Sequence, residues 1–293
     1  MNQAASISGI LKAKAYFELL KPRLSFLVAF SCAFGYALAT NGSIELLTIT
    51  MLTIGGFLLS GASVCINQII EKDLDSIMTR TMNRPLPTGR VSVQEATWFA
   101  LLCIALSVLI LWMYTNPLTV ILSVISMLLY SFLYTPLKRV GPVAVFVGAI
   151  PGALPPLLGW VAATGSISHE AMIIFGIQFI WQFPHFWAIA WVADDDYKKA
   201  GFKLLPSGGG KDLNTAIQIM VYTLFLIPLG LLPAKFGITG LDSGIVATVC
   251  GAAFFGQTFS LMKTGSTQSA KRIMFGSFLY LPIVQIAYLL DKI

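Results

Sequence analysis

The sequence predicts an all-α membrane protein that crosses the bilayer about nine times within one domain, residues 1–293. Apolar residues make up 56% of the chain and charged residues only 11%, against about 25% charged in an ordinary soluble domain. The apolar residues form nine segments near the ~20 residues that span a bilayer. Almost all basic residues lie on one side of these segments. These three observations exclude a soluble enzyme, and no basic, aromatic-rich segment suggests a nucleic-acid partner.

A short segment, residues 1–19, precedes the first predicted span. The nine spans are, in order, residues 20–40, 46–70, 96–114, 117–135, 141–163, 170–193, 214–233, 242–262 and 272–290. The fifth span contains Pro142, Pro151, Pro155 and Pro156. We expect a kink there and not a loop, because neighbouring helices can bond the carbonyl groups that proline leaves free.

The basic residues predict the orientation of the chain, because short cytoplasmic loops retain Lys and Arg. All of them except Lys235 and Lys292 fall on the side of the N-terminus. We therefore expect residues 1–19 in the cytoplasm and the C-terminus outside. The expected location is a bacterial-type cytoplasmic (inner) membrane. A cleaved signal peptide ending near residues 37–39 is an alternative, but the later loops fit the orientation better if the first span stays.

Oxygen-bearing side chains follow one face at the end of the second span. Asn67, Glu71 and Asp75 are spaced i, i+4 and i+8, which places one amide and two carboxylates on the same side of a helix. Oxygen-only ligands suit a hard cation such as Mg²⁺. The alternative is a solvated helix end whose charges pair with Lys72 and Arg80.

A basic loop follows this acidic face. Arg80, Arg84 and Arg90 lie within it, and Pro85 and Pro87 restrict its backbone. Guanidinium groups match phosphate oxygens in pairs. Carboxylates and arginines that paired only with each other would cancel, whereas Mg²⁺ and a diphosphate would give each sign its own partner. The sequence therefore predicts a diphosphate bound with one or two Mg²⁺ ions.

A second acidic cluster ends the sixth span and repeats this order of charges. Asp194, Asp195 and Asp196 are followed by Lys198 and Lys199. Such a cluster is also typical of a solvated surface loop, and that alternative stays open on the residues alone.

Residues 67–75, followed by Arg80, Thr81, Arg84 and Pro85, resemble the first aspartate-rich motif of the UbiA superfamily of intramembrane prenyltransferases. Segments 83–90, 181–187 and 195–206 are more narrowly similar to those members that farnesylate protohaem IX, and the similarity extends over nearly the whole chain. Glu71 stands where the family usually has aspartate, a change that keeps the charge and the ligand type.

The resemblance implies a single UbiA-type helical bundle with its active site at the cytoplasmic face. It implies Mg²⁺-assisted ionisation of farnesyl diphosphate and transfer of the farnesyl group to a vinyl group of protohaem IX, with water completing a hydroxyethylfarnesyl substituent. Haem B is then a substrate and not a prosthetic group. The bilayer is a further partner, and the resemblance raises an association with haem A synthase or terminal oxidase assembly.

Two other functions stay open. A relative with a different acceptor, such as a quinone precursor or chlorophyllide, would share the diphosphate chemistry. A membrane transporter would place acids through the depth of the bilayer, whereas the acids here cluster at one face beside arginines.

The resemblance also assigns residue roles. Asp196 matches the second motif best and Asp195 next, while Asp194 is expected to be a bystander charge. The expected metal ligands are Asn67, Glu71, Asp75, Asp195 and Asp196. The expected catalytic residues are Asn67, Asp75, Arg80, Arg84 and Lys138. The expected substrate-binding residues are Lys72, Arg90, Tyr134, Arg139, His185, Tyr197, Lys198 and Lys199. Aromatic faces for the allylic cation are expected from Tyr130, Tyr134, Trp181, Phe183 and Trp187.

His185 lies eleven residues before Asp196, or ~16 Å along a helix and deep in the hydrocarbon. An ionisable residue at that depth is a candidate for function. Imidazole is a usual axial ligand of haem iron, and a hydrogen bond between helices is the alternative. His169 is expected to lie in an outside loop in solvent.

Overall fold

The computed structural model describes residues 2–208 and 210–293, with side chains from residue 9 onward. Its helices are α1 (Asn2–Leu19), α2 (Pro22–Ala39), α3 (Leu46–Ile70), α4 (Lys72–Ile77), α5 (Val93–Tyr114), α6 (Pro117–Leu128), a π-helical turn (Leu129–Tyr134), α7 (Thr135–Leu137), α8 (Val143–Thr164), α9 (His169–Val192), α10 (Asp194–Lys199), α11 (Leu213–Leu229), α12 (Leu232–Lys235), α13 (Leu241–Thr264) and α14 (Thr267–Leu290).

Nine helical segments in these described ranges are long and apolar enough to cross a membrane, and each coincides with a predicted span. The all-α prediction is therefore confirmed. The third span begins at Val93, earlier than predicted, because Ser92 and Glu95 form a capping box: the Glu95 N–H donates to the Ser92 hydroxyl, and the Ser92 N–H donates to the Glu95 carboxylate.

The fourth span is not one regular helix, because a proline interrupts its hydrogen bonds. Pro136 has no N–H, so the carbonyl of Phe132 has no intrahelical donor four residues on. The preceding residues Leu129–Tyr134 adopt a π-helical turn, and the Thr135 N–H donates to the Tyr130 carbonyl five residues back. The π-helical turn determines how the side chains of residues 129–134 are oriented as the span approaches the charged end of the bundle.

The proline-rich fifth span stays helical, as predicted. Pro155 and Pro156 lie inside α8, and Pro156 removes the N–H that would bond the Gly152 carbonyl. Gln178 and Gln182 of α9 replace that donor, each with an Nε2–O distance of 2.9 Å. The neighbouring helix therefore satisfies the freed carbonyl, which is the condition for proline within a membrane helix.

Helices α2 and α8 pack closely at the centre of the bundle. A side chain at Gly35 would overlap the Pro156 carbonyl, and one at Gly159 would overlap the Cys32 carbonyl. Only glycine permits this approach of two backbones. Elsewhere large apolar side chains such as Trp98 and Phe146 are exposed on the outer faces of the spans, as expected where the solvent is lipid.

The two ends of the described chain are both tied to the bundle. Helix α1 buries Ala15 and Leu19 in a cluster with Cys65 and Leu86. At the opposite end of the chain, Lys292 donates to the carbonyl of Ala37, in the last turn of α2, and to the carbonyl of Thr40, directly after α2. The last span, α14, also contacts the first span, α2.

Candidate active site

The predicted acidic face is buried at the end of α3, although it does not follow one helix. Asn67, Glu71 and Asp75 are at most 4% exposed. Helix α3 ends at Ile70, and Glu71 lies at the junction with α4, with φ −97° and ψ 11°. The Asp75 N–H still donates to the Glu71 carbonyl, with an N–O distance of 2.7 Å. The turn therefore continues far enough to bury all three side chains.

Glu71 is paired with Lys138, which follows α7. The Lys138 ammonium donates to both carboxylate oxygens, at 2.8 and 3.0 Å. Burial lowers the pKa of Lys138, while the charge and hydrogen bonds of Glu71 raise it. Removing one partner of such a pair leaves an uncompensated buried charge and typically costs ~3–5 kcal/mol.

Asp75 is paired with Arg84 of the basic loop. Arg84 Nη1 lies 2.6 Å from Asp75 Oδ2. The Thr81 hydroxyl donates to the Asp75 carbonyl, with an O–O distance of 2.9 Å. The loop therefore folds back over α4 and brings its guanidinium group to the buried carboxylate.

The second acidic cluster lies against this same loop. The Asp196 carboxylate accepts the N–H groups of Thr79 and Arg80, at 3.1 and 2.9 Å, and the Lys199 ammonium at 3.0 Å. The hydrogen bond from the Arg80 backbone, followed by that from Lys199, holds the pKa of Asp196 well below its usual range. Two acidic segments far apart in the sequence thus contact the same basic loop.

Aromatic rings lie beside two of the predicted cations. The Lys138 ammonium is 4.9 Å from the centre of the Tyr134 ring, and Arg80 Cζ is 5.8 Å from the centre of the Tyr197 ring. Burial raises the pKa of Tyr197. At these distances the rings stabilise the cations through their π-electrons.

Other predicted residues lie outside this cluster. Asp195 is 93% exposed in its side chain and 3.7 Å from Lys211. Arg90 pairs with Glu18 at 2.7 Å, Arg139 is exposed and Lys72 is half-buried. Within residues 2–208 and 210–293, His, Cys, Asp and Glu side chains do not gather in groups of three that could hold a metal ion.

Sequence reasoning missed two residues near the cluster. Asp194, expected to be a bystander, is buried and forms ion pairs with Lys198 at 2.8 Å and Lys211 at 3.4 Å. Lys21 has φ 44°, in the left-handed region, which costs an L-residue about 1–2 kcal/mol. Burial, and next the charge of Arg84, lower the pKa of Lys21 to about 7. The available signal for Lys21 was a basic residue at the start of the first predicted span, residues 20–40.

A cavity of about 280 Å³ lies between α2, α3, α6, α8, α9 and α14. Its wall is mostly apolar, and Tyr130 and Tyr134 form part of it near the charged end. Trp181 also lines the cavity. Phe183 and Trp187, expected among the cation-stabilising aromatics, pack instead against Tyr222 of α11.

His185 reaches the same cavity and makes the hydrogen bond between helices that was one of its two interpretations. Its Nδ1 lies 2.8 Å from the Ser277 hydroxyl of α14. The ring stacks on Trp181, with centroids 4.3 Å apart. The role of iron ligand stays a prediction. His169 begins α9 with its side chain 70% exposed, in agreement with the expected solvation.

Known proteins resemble this chain over nearly its whole length. The family model described as the UbiA prenyltransferase family matches residues 28–281. A relative from Cytophaga hutchinsonii, named protoheme IX farnesyltransferase, is 52% identical over 280 residues, covering 96% of this chain and 98% of the relative. The mitochondrial protein of that name from Arabidopsis thaliana is 35% identical and covers 100% of this chain and 68% of the relative.

Solved structures share the fold at lower identity. A structure of digeranylgeranylglyceryl phosphate synthase aligns with a TM-score of 0.79 at 21% identity, over 96% of this chain and 98% of that one. A UbiA homologue from Archaeoglobus fulgidus, bound to GPP and Mg²⁺, aligns with a TM-score of 0.65 at 17% identity, over 94% of this chain and 99% of that one.

Proposed function

The chain belongs to the UbiA prenyltransferase family, and from that premise we propose that it transfers the farnesyl group of farnesyl diphosphate to a vinyl group of protohaem IX. The products are farnesylated haem, known as haem O, and diphosphate. The relatives named protoheme IX farnesyltransferase, at up to 52% identity over nearly the whole chain, support this acceptor over a quinone precursor or chlorophyllide.

The observation that carries the proposal is the presence of two buried ion pairs beside an apolar cavity. Glu71 with Lys138 and Asp75 with Arg84 lie at the end of the bundle where Tyr134 lines the cavity and also contacts Lys138. A diphosphate bound among these charges would leave its isoprenoid chain in the cavity. Because the paired charges cluster at one end and do not continue across the bilayer, they support group transfer over ion transport.

The donor chemistry of this site fits Mg²⁺. The Thr135 hydroxyl donates to the Tyr130 carbonyl, so its oxygen must accept from Asn67 Nδ2, at 3.1 Å. That orientation leaves the amide oxygen of Asn67 available beside the carboxylates of Glu71 and Asp75, and oxygen ligands are those that Mg²⁺ prefers. Bound there, Mg²⁺ would neutralise charge on the diphosphate leaving group.

The cations of the site have a second use in this proposal. Lys138 and Arg84 now neutralise carboxylates that metal ions would neutralise. With Mg²⁺ held by the carboxylates, Lys138 and Arg84 would be available to the diphosphate oxygens, and Arg80 and Lys199 lie on the adjoining loop and helix. Fixed positive groups aimed at developing charge typically contribute ~10²-fold or more to the rate.

We further propose that haem B binds only as a substrate and that the site faces the cytoplasm of a bacterial-type inner membrane. The association with haem A synthase or terminal oxidase assembly stays a prediction. Asp195, Arg139, Arg90 and Lys72 keep their predicted roles, which would require side-chain movement when substrate binds.

The test is product analysis by mass spectrometry. Purified protein in lipid nanodiscs is incubated with protohaem, farnesyl diphosphate and Mg²⁺, and a parallel sample contains EDTA. We expect farnesylated haem only where Mg²⁺ is available. Unmodified haem together with labelled isoprenoid on another lipid would overturn the acceptor, and equal product with EDTA would overturn the metal.

A matched pair of variants tests the buried carboxylate. Asp75→Asn keeps an acceptor for Arg84 but removes the charge, so turnover should fall by ~10²-fold or more. Asp73→Asn removes a charge from an exposed position on the same short helix and should leave turnover unchanged. Equal activity in both variants would remove Asp75 from the site.

A further inference from the structure

The proposed reaction creates a second carbocation that the site must resolve. When the allylic carbon of the farnesyl group bonds to the terminal vinyl carbon, the electron pair of the vinyl bond forms the new bond. The positive charge moves to the other vinyl carbon, beside the porphyrin ring. That carbon then either accepts an oxygen lone pair from water and loses a proton, giving an alcohol, or loses a proton directly, giving an alkene.

A hydrogen-bonded network fixes the orientation of one amide in the cavity wall. The Gly152 carbonyl, freed by Pro156, accepts Nε2 of both Gln178 and Gln182, each at 2.9 Å. A Cβ on Gly152 would lie within 2.9 Å of the Gln182 carboxamide, so the amide rests directly on the glycine. With Nε2 held in this way, Oε1 is the carboxamide atom that makes no bond to Gly152; it lies 2.9 Å from the position that a Gly152 Cβ would take, and Gln182 lines the cavity.

The other acceptors of the network, apart from Gln182 Oε1, receive hydrogen bonds from protein. Gln178 Oε1 accepts Nε2 of Gln285, at 3.0 Å, and Gln285 exchanges hydrogen bonds with Ser31. For Gln182 Oε1 the described residues supply no donor, although its side chain is 5% exposed and lines the cavity. Because Gln182 Oε1 is accessible from the cavity and lacks a protein donor, a molecule in the cavity that donates a hydrogen can bond to it.

The same reasoning fixes the hydrogen on His185. The Ser277 hydroxyl donates to the Met274 carbonyl, with an O–O distance of 2.7 Å. Its oxygen must therefore accept from Nδ1–H of His185, 2.8 Å away. In the neutral imidazole the other nitrogen, Nε2, then carries a lone pair, and the ring lines the cavity.

We propose that Gln182 Oε1 and His185 Nε2 together hold the water molecule that ends the reaction, an inference that rests on the proposed function. The two residues are three apart on α9, and residues at this spacing are neighbours on one helix face, with Cβ atoms ~5–6 Å apart. Two acceptors without a donor require a ligand with two hydrogens. A water that donates both hydrogens keeps its oxygen lone pair free to attack a carbocation.

The step balances in atoms and electrons. The water oxygen supplies the electron pair of the new C–O bond, and the vinyl carbon loses its positive charge. One proton of the water passes to His185 Nε2, which later releases it, and the product is an alcohol. Gln178 and Ser277 do not touch the water; they are positioning residues for Gln182 and His185.

The experiment compares variants by the ratio of alcohol to alkene among the farnesylated haems. Full-length protein in nanodiscs receives protohaem, farnesyl diphosphate and Mg²⁺ in heavy-oxygen water. Gln182→Met removes the acceptor with little change in volume, and hydration should slow by ~10²-fold, so that the product becomes mainly alkene. Gln182→Glu, neutral in the apolar wall, keeps an acceptor and a donor for Gly152 and should restore the alcohol. Gln257→Met, a membrane glutamine away from the cavity, is the control.

Several results would overturn the inference. An unchanged alcohol fraction in Gln182→Met, or an equal loss in Gln257→Met, would remove Gln182 from the hydration step. Loss of the bound haem's axial-ligand spectrum in His185→Gln would assign Nε2 to the iron, where it cannot hold water. Absence of farnesylated haem from the wild-type protein would instead overturn the proposed function, a result distinct from a changed product ratio.

Discussion

At the scale of single residues, the buried pair of Glu71 and Lys138 separates stability from catalysis. Lys138→Met leaves the Glu71 carboxylate buried without its cation, so the free energy of unfolding should fall by ~3–5 kcal/mol. The double variant Lys138→Met, Glu71→Gln removes both charges and should recover most of that loss, yet stay inactive because it lacks a proposed metal ligand. Thermal unfolding in detergent and product analysis measure the two effects. Equal unfolding temperatures in single and double variants would contradict the pairing.

Lys21 predicts a pH dependence of diphosphate binding. Burial, and next the charge of Arg84, lower its pKa to about 7. The Lys21 amino group is therefore mostly neutral above that pH and becomes a charged ammonium as the pH falls. Affinity for diphosphate should therefore rise between about pH 8 and about pH 6, on top of the titration of the diphosphate itself. Calorimetry of wild type and Lys21→Met gives the comparison. A slope that is identical in both proteins would exclude Lys21 as its source.

Residue types could be predicted from sequence more easily than their partners. The spacing of Asn67, Glu71 and Asp75 predicted oxygen ligands on one face, and the structure buries all three side chains. The partners of Glu71 and Asp196 could not be assigned, because Lys138 reaches Glu71 across 67 residues and the Thr79 N–H reaches Asp196 across 117. Such contacts depend on how helices pack, and local spacing carries no information about them.

At the scale of helices, the π-helical turn before Pro136 offers a test of how the site is positioned. Pro136 is exposed, so Pro136→Ala removes little packing. It restores an N–H for the Phe132 carbonyl and favours a regular α-helix, which would rotate Tyr130 and Tyr134 relative to Lys138. We expect an unchanged or higher unfolding temperature together with lower turnover. Wild-type turnover in a protein of equal stability would show that the turn does not position the site.

The helices themselves were predictable because hydropathy is a property of the local sequence. All nine spans were found in this way, and the capping box at Ser92 explains why the third span begins at Val93 and not at residue 96. The break at Glu71 and the turn at residues 129–134 were not foreseen. Both arise where buried charges or a proline change the local hydrogen bonding, and the favoured backbone there depends on residues from other helices.

At the scale of the whole molecule, the distribution of basic residues predicts which end of the bundle meets the cytoplasm. The ion pairs of the site lie near the end of α3 and the start of α10. Lys235 ends α12 on the opposite side of the bundle. Helix α13 then crosses back, so that Lys263, in its last turn, lies on the same side as the site. Both lysines are exposed, so either accepts a cysteine without loss of packing. The four native cysteines are buried or half-buried.

Labelling these two positions in intact cells tests the orientation. A membrane-impermeant maleimide should modify Lys235→Cys and should reach Lys263→Cys only after the cells are opened, because translocated loops lack the Lys and Arg that cytoplasmic loops retain. The unsubstituted protein is the control for the native cysteines. The reverse labelling pattern would place the diphosphate site on the outer face, where a substrate made in the cytoplasm could not reach it without crossing the membrane.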